Sequence, residues 1–113
     1  MASGLEGQRF AFCGYLPRDA ADRKRRIKDL ENRSRREAET EVFIETPYRN
    51  DALLAALLES CAPDTRLCVA ADLTLPGETI RSASVADWRR SRIALGKRPA
   101  VFLLLAQPQR RAQ

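Results

Sequence analysis

A chain of 113 residues supports one compact domain with its own core and has no room for a second, catalytic one. Three cysteines without a CxxC pair, and no histidine, exclude a disulfide framework, a zinc site and every nucleophile that needs an imidazole base. The formal charge is +5, and nine basic against four acidic residues between Arg18 and Arg36 account for all of it. That surplus suits a phosphate backbone or another acidic partner; the same residues also suit a solvated helix laced with ion pairs at helical spacing.

The opening MASGLEGQRF lacks the apolar segment of a signal peptide, and the longest apolar run, AVFLLLA, is too short to span a bilayer. A cytoplasmic protein without membrane contact is expected. RFAFC (residues 9–13) places aromatics at alternate positions before Gly14, the pattern of a strand with one preferred buried face. Pro17 fixes a turn, and Asp19 is placed to cap a helix running to about Ser34. Its apolar stripe is thin, carried by Ala20, Ile27 and Leu30. Arg23 falls on that inward stripe, where it needs either a partner or a route to the helix edge.

EVFIE (residues 41–45) has three consecutive apolar residues of high β propensity and predicts a strand covered on both faces. Leu53, Leu54, Leu57, Leu58 and Cys61 keep helical spacing, so a helix is expected over residues 48–61. RLCVAAD (residues 66–72) predicts a second central strand, and ETIRSAS (residues 78–84) alternates as an edge strand does. Ser84 caps a short helix to about Arg92 that buries Trp88, and AVFLLLA forms a third central strand. The order βαβαββαβ implies an α/β layered domain over residues 1–106, a mixed sheet of about five strands with helices packed on it. Residues 107–113 are expected to form a polar, basic, frayed tail.

The glycines never cluster as GxGxxG or a P-loop, so no self-sufficient nucleotide site is visible. Carboxylates stand at strand ends, Glu45, Asp72 and Glu78, where α/β sheets commonly present ligand-binding groups and where a helix cap or an exposed acid is equally at home. In TEVFIETPYRN (residues 40–50) a carboxylate and an arginine, Glu45 and Arg49, bracket a strand-to-helix turn.

Three stretches carry a family resemblance. SGLEGQRFAFCGYLP (residues 3–17) is similar to a segment reading SG, then F-x-F-x-G-F-L-P, that opens the second domain of the tetrapyrrole methylase superfamily, in the branch containing the 16S ribosomal RNA 2'-O-ribose methyltransferases acting on cytidine. TEVFIETPYR resembles the family's T-x-x-F-Y-E-S-P-H-R, and AADLTL (residues 70–75) resembles A-R-E-L-T-K, with Glu78 matching a following glutamate. The resemblance runs from Ser3 to about Ala106 and implies the C-terminal domain of an S-adenosylmethionine-dependent methyltransferase. Its glycine-rich N-terminal domain would lie outside this chain, and the cofactor would sit between the two.

Carried over, the resemblance places Ile44, Glu45, Thr46, Ala70, Asp72 and Thr74 beside the cofactor cleft. Tyr15, Leu16 and Pro17 fall in the loop after the first strand. Arg23 and Arg49 match retained basic positions; with Arg18, Arg25 and Arg26 they are the expected substrate or RNA contacts. Arg23 is also offered as a partner for Glu45. The catalytic base is not identified, and no metal is implied. A homodimer, the chain's own N-terminal domain and RNA are the implied partners. Ile44, Tyr48, Ala71, Asp72 and Leu75 depart from the family's tyrosine, histidine, arginine, glutamate and lysine, and Asp19 stands where a basic residue is expected, which leaves the substrate open. The alternative is a freestanding basic RNA- or anion-binding module, or a dimerisation module, without catalysis; the basic helix has no aromatics to stack bases.

Overall fold

The computed structural model describes residues 9–72, 76–91 and 94–107. They form β1 (Arg9–Tyr15), α1 (Ala20–Glu37), β2 (Glu39–Ile44), a single 3-10 turn (Pro47–Arg49), α2 (Asn50–Ser60), β3 (Arg66–Ala71), β4 (Thr79–Ser84), α3 (Val85–Arg90) and β5 (Ala100–Leu105). The element order is the expected one, and the architecture is a five-stranded mixed sheet, ordered β1-β2-β5-β3-β4, with helices on it. β1 pairs with β2 in parallel, while β2–β5, β5–β3 and β3–β4 are antiparallel. The C-terminal ends of β1, β2 and β3 therefore share one edge with the N-terminal ends of β4 and β5.

Helix boundaries follow from local chemistry. The Asp19 carboxylate accepts from the Asp22 amide at 3.0 Å and starts α1, as its position suggested. Ala38 ends the helix in a left-handed conformation, φ 52. Its inward face is Ile27, Leu30, Glu31 and Ser34, whereas Ala20 is exposed. Two polar residues on that face act as joints. Glu31 accepts from the Ala62 amide at 2.7 Å and the Thr65 hydroxyl at 2.6 Å; Ser34 donates to the Glu39 carbonyl at 2.6 Å and accepts from the Ala106 amide at 2.9 Å. Ser84 caps α3 by accepting from the Asp87 amide, and the fully buried Trp88 donates its indole N–H to the Leu67 carbonyl at 2.8 Å.

One core lies between the helices and one face of the sheet, with Ile27, Leu30, Leu53, Leu57, Phe43, Leu67, Phe102 and Leu104 all buried. Phe43 and Phe102, paired across β2 and β5, stack with centroids 5.8 Å apart. Glu39 and Glu41 alternate with Phe43 on this same covered face, and both are buried. The Arg33 guanidinium stands 2.9 Å from Glu39, and the Cys13 thiol contacts Glu41 Oε1 at 3.5 Å, while Glu41 Oε2 is buried without a hydrogen-bond donor. Burial, then the neighbouring Glu39 carboxylate, pushes the Glu41 pKa up to about 7.

Among the described residues no helix covers the other face, and this corrects one expectation. Phe10 and Phe12 do not point into a core but stand 42% and 71% exposed. β1 also continues through Gly14, φ 69, with a bulge between Phe12 and Gly14 that returns Tyr15 to the uncovered side. Strand pairing aligns two rows across that side. One is Phe12, Val42, Leu103, Cys68 and Ser82; the other is Tyr15, Ile44, Val101, Ala70 and Ile80. β2 itself has no exposed residue: on this side Thr40 is buried and Val42 and Ile44 are half-buried, as expected of a strand covered on both faces.

Candidate functional site

The shared strand edge holds a cavity of about 340 Å³. Ile44, Glu45 and Pro47 line it from the end of β2, Ala70 and Asp72 from the end of β3, and Pro99, Ala100 and Val101 from the start of β5. Four of the residues expected there, Ile44, Glu45, Ala70 and Asp72, come together from segments more than twenty residues apart. Thr46 is adjacent, its amide donating to Glu45 Oε1 at 2.8 Å. Thr74 lies outside the described residues.

Two carboxylates face this mostly apolar cavity, each with its own arginine. Glu45 is 8% exposed, and the Arg49 Nε lies 3.7 Å from its Oε2 across the 3-10 turn that Pro47 initiates. That spacing is an ion pair without a hydrogen bond, so Glu45 Oε2 keeps its accepting capacity. Arg23 is not the partner of Glu45: it is half-buried at the start of α1, and its Nε has no hydrogen-bond partner. Arg49, four residues along the chain, reaches the carboxylate first and also donates to the Arg18 carbonyl at 3.1 Å.

Asp72 follows β3 in the left-handed region, φ 54, a conformation aspartate tolerates better than most residues. Its amide donates to the Pro99 carbonyl at 2.9 Å, and its carboxylate accepts from Arg98 Nε. The same guanidinium donates to the Gly77 carbonyl and the Thr79 hydroxyl, both at 2.8 Å, tying the β3–β4 connection to the start of β5. The segment carrying Arg98 is held in turn by the N-terminus of α2. Asp51 accepts from the Leu95 amide at 2.7 Å and the Gly96 amide at 2.9 Å, and the Asn50 amide donates to the Arg98 carbonyl. Sequence reasoning missed Arg98, Asn50 and Asp51. The signals present were an Arg-Pro pair ahead of an apolar strand and an Asn-Asp pair opening a helix.

The remaining expected basic residues lie along α1 and just before it rather than gathered at the cavity. Arg18 and Arg25 are exposed, Arg25 pairing with Asp22, and Arg26 is half-buried. The clustered acids Glu39 and Glu41 lie upstream on β2, outside the cavity wall. Among the described residues no group of histidines, cysteines and acids has the arrangement to hold a metal ion, and no helix is long and apolar enough to cross a membrane.

The donor set fits a cofactor that is both apolar and cationic. Ile44, Ala70, Val101 and Pro99 offer flat apolar contact suited to a purine ring, while Glu45 and Asp72 can accept from hydroxyls or an amine and attract positive charge. The cavity is at the small end for a drug-sized ligand and open on one side, as one wall of a cleft is.

No protein-family model matches the chain. It is 36% identical over 90 residues to the ribosomal RNA small subunit methyltransferase I of Pseudomonas aeruginosa, covering 77% of this chain and 30% of that protein. It is 31% identical over 114 residues to the protein of the same name from Leptospira borgpetersenii, covering 98% of this chain and 44% of the relative. The chain thus spans less than half the length of these relatives. Among solved structures, the cobalt precorrin-4 methyltransferase CbiF superposes over 92% of this chain and 46% of its own, with a TM-score of 0.57 at 15% identity. The methyltransferase CobJ superposes over 99% of this chain and 47% of its own, with a TM-score of 0.51 at 21% identity. The chain is thus similar in sequence, along nearly its whole length, to ribosomal RNA small subunit methyltransferases, and its sheet-and-helix fold is the one it shares with CbiF and CobJ.

Proposed function

We propose that this chain is the C-terminal half of an S-adenosylmethionine-dependent methyltransferase, and that it supplies one wall of the cofactor cleft. The observation that carries the reading is the cavity itself: residues singled out at the ends of two strands, Ile44, Glu45, Ala70 and Asp72, share one concave surface. The relatives' names supply the chemical class, and the missing glycine-rich loop is accounted for by a second wall contributed by an N-terminal domain. When bound, the cofactor supplies an electrophilic methyl group, and transfer then depends mainly on in-line positioning in a dry cleft.

This chain's residues perform the binding part of that task. Glu45, on the cavity wall, would accept from a hydroxyl or amine of the cofactor, and Asp72, oriented by Arg98, would set the opposite rim. Ile44, Ala70 and Val101 exclude water from between them. Exposed basic residues in and just before α1, Arg25 and Arg18 among them, give ribosomal RNA a phosphate-binding surface, and such a substrate goes with a cytoplasmic site of action. Arg49 is committed to Glu45 and the Arg18 carbonyl, so its role is to orient the carboxylate.

The test is methyl transfer from labelled S-adenosylmethionine to small ribosomal subunits. The isolated chain is expected to give none, and a chimera in which it replaces the matching segment of the Pseudomonas aeruginosa relative is expected to restore it. Methylation by the isolated chain would overturn the half-cleft reading.

A further inference from the structure

Tyr48 is the most exposed of the large apolar side chains among the described residues, at 79%, and it takes no part in the cavity wall. It stands on the 3-10 turn directly after Pro47, which does line the cavity, and the Lys97 Nζ lies 5.1 Å from the centre of its ring. We propose, resting on the ribosomal RNA reading above, that Tyr48 and Lys97 together hold one unpaired nucleotide of the RNA substrate beside the cavity. The base stacks on the Tyr48 ring, and Lys97 takes the adjoining phosphate.

A lone exposed aromatic is ordinary; this one is held in place beside a cation. Pro47 fixes the start of the turn, and the Arg49 amide closes it on the Thr46 carbonyl at 2.9 Å. On the Lys97 side, Gly96 takes a left-handed φ of 61, the Leu95 and Gly96 amides donate to Asp51, and the Arg98 carbonyl accepts from Asn50. Both backbones are thus tied to the start of α2, while both side chains are exposed. The cavity's two carboxylates are taken by Arg49 and Arg98, and among the described residues Lys97 has no ion-pair partner, so its charge is left for an anion. Lys97 sits over one face of the ring, and the ring's exposure leaves the other open. An aromatic face stacks on any base, but only on one free of its duplex, and a lysine adds a sequence-independent hold on phosphate. The basic helix α1 has no aromatic to stack a base; the fold supplies one here from two segments far apart in the chain. Because Pro47 is on the cavity wall, a base on Tyr48 sets the neighbouring nucleotide at the cavity.

Fluorescence anisotropy tests this, with a labelled single-stranded oligouridylate of about eight nucleotides titrated with the protein at about 50 mM salt. A strand of equally charged tetrahydrofuran phosphates, which carries no bases, is titrated beside it. The base-bearing strand is expected to bind about tenfold more tightly than the base-free one. Tyr48→Ala should abolish that difference and Tyr48→Phe should keep it. Lys97→Gln should weaken both strands and lower the salt slope by about 0.7. Binding of neither strand, equal binding of the two by the unaltered protein, a folded Tyr48→Ala that keeps the preference for bases, a Tyr48→Phe that loses it, or a Lys97→Gln with the parental slope would overturn the proposal. Should Tyr48→Ala unfold, the Tyr48 ring protons of the unaltered protein decide: they shift upfield with oligouridylate alone, and shifts that do not distinguish the two strands contradict the stacking. No cofactor enters these readouts, so failure here leaves the methyltransferase reading standing, and a chimera that fails to methylate leaves the stacking result intact.

Discussion

Three carboxylates, Glu45, Asp72 and Glu41, show how differently one chemical group is used. Glu45 and Asp72 each stand at a strand end with an arginine, whereas Glu41 is fully buried beside Glu39 with one oxygen unpartnered. Glu41 therefore costs stability when ionised. Its pKa is raised from 4.5 to about 7, so its neutral form is favoured in the folded chain. Stability from this residue is fully present below the ordinary carboxylate pKa and is lost as pH rises through about 7. Urea midpoints measured across that window should fall with pH, and Glu41→Gln should flatten the decline, gaining on the order of 1–3 kcal/mol at pH 8. Unchanged pH dependence in the variant would show that Glu41 is not the titrating group. At Arg98 the expectation reverses: Arg98→Ala strands the Asp72 carboxylate and frees two acceptors, costing about 1–3 kcal/mol. Arg98→Lys should rescue only partly, because a point charge cannot reach three acceptors in different directions. Hydrogen exchange at the β4 amides is the readout.

The elements were largely legible in the sequence, and the reason is local. Buried strands wrote themselves as apolar runs, α2 as leucines at helical spacing, and α1 and α3 through side-chain caps at Asp19 and Ser84. Glu45 and Asp72 were visible as acids ending such runs. The chain pattern could not reveal which side of a strand the helices would cover, since Phe10 and Phe12 alternate the same way whether buried or bare. Nor could it show that Glu31, Glu39 and Glu41 are interior, because their partners come from other elements: Ala62, Thr65, Arg33 and Cys13. Arg98 was hidden for the same reason. Ser34 makes the point testable, being a single hydroxyl that joins α1 to β2 and β5. Ser34→Ala should destabilise the domain by about 1–3 kcal/mol, since it leaves a buried carbonyl and amide unpaired. A thermal midpoint within a degree of the unaltered chain would contradict that assignment.

For the whole molecule, the governing fact is asymmetry. One face of the sheet is closed by helices, the other carries no helix among the described residues, and the cavity lies at the strand ends. The chain spans less than half of the methyltransferases it resembles, and on the proposed reading its cavity is one wall of their cleft. The claim that this cavity is half of a cofactor cleft is tested most directly by calorimetric titration of S-adenosylhomocysteine into the chimera with the Pseudomonas aeruginosa relative. The account predicts saturable binding that Glu45→Gln weakens by about tenfold or more, equivalent to about 1.4 kcal/mol, with the thermal midpoint preserved. A folded chimera that does not bind, or one whose affinity is indifferent to Glu45→Gln, would contradict it.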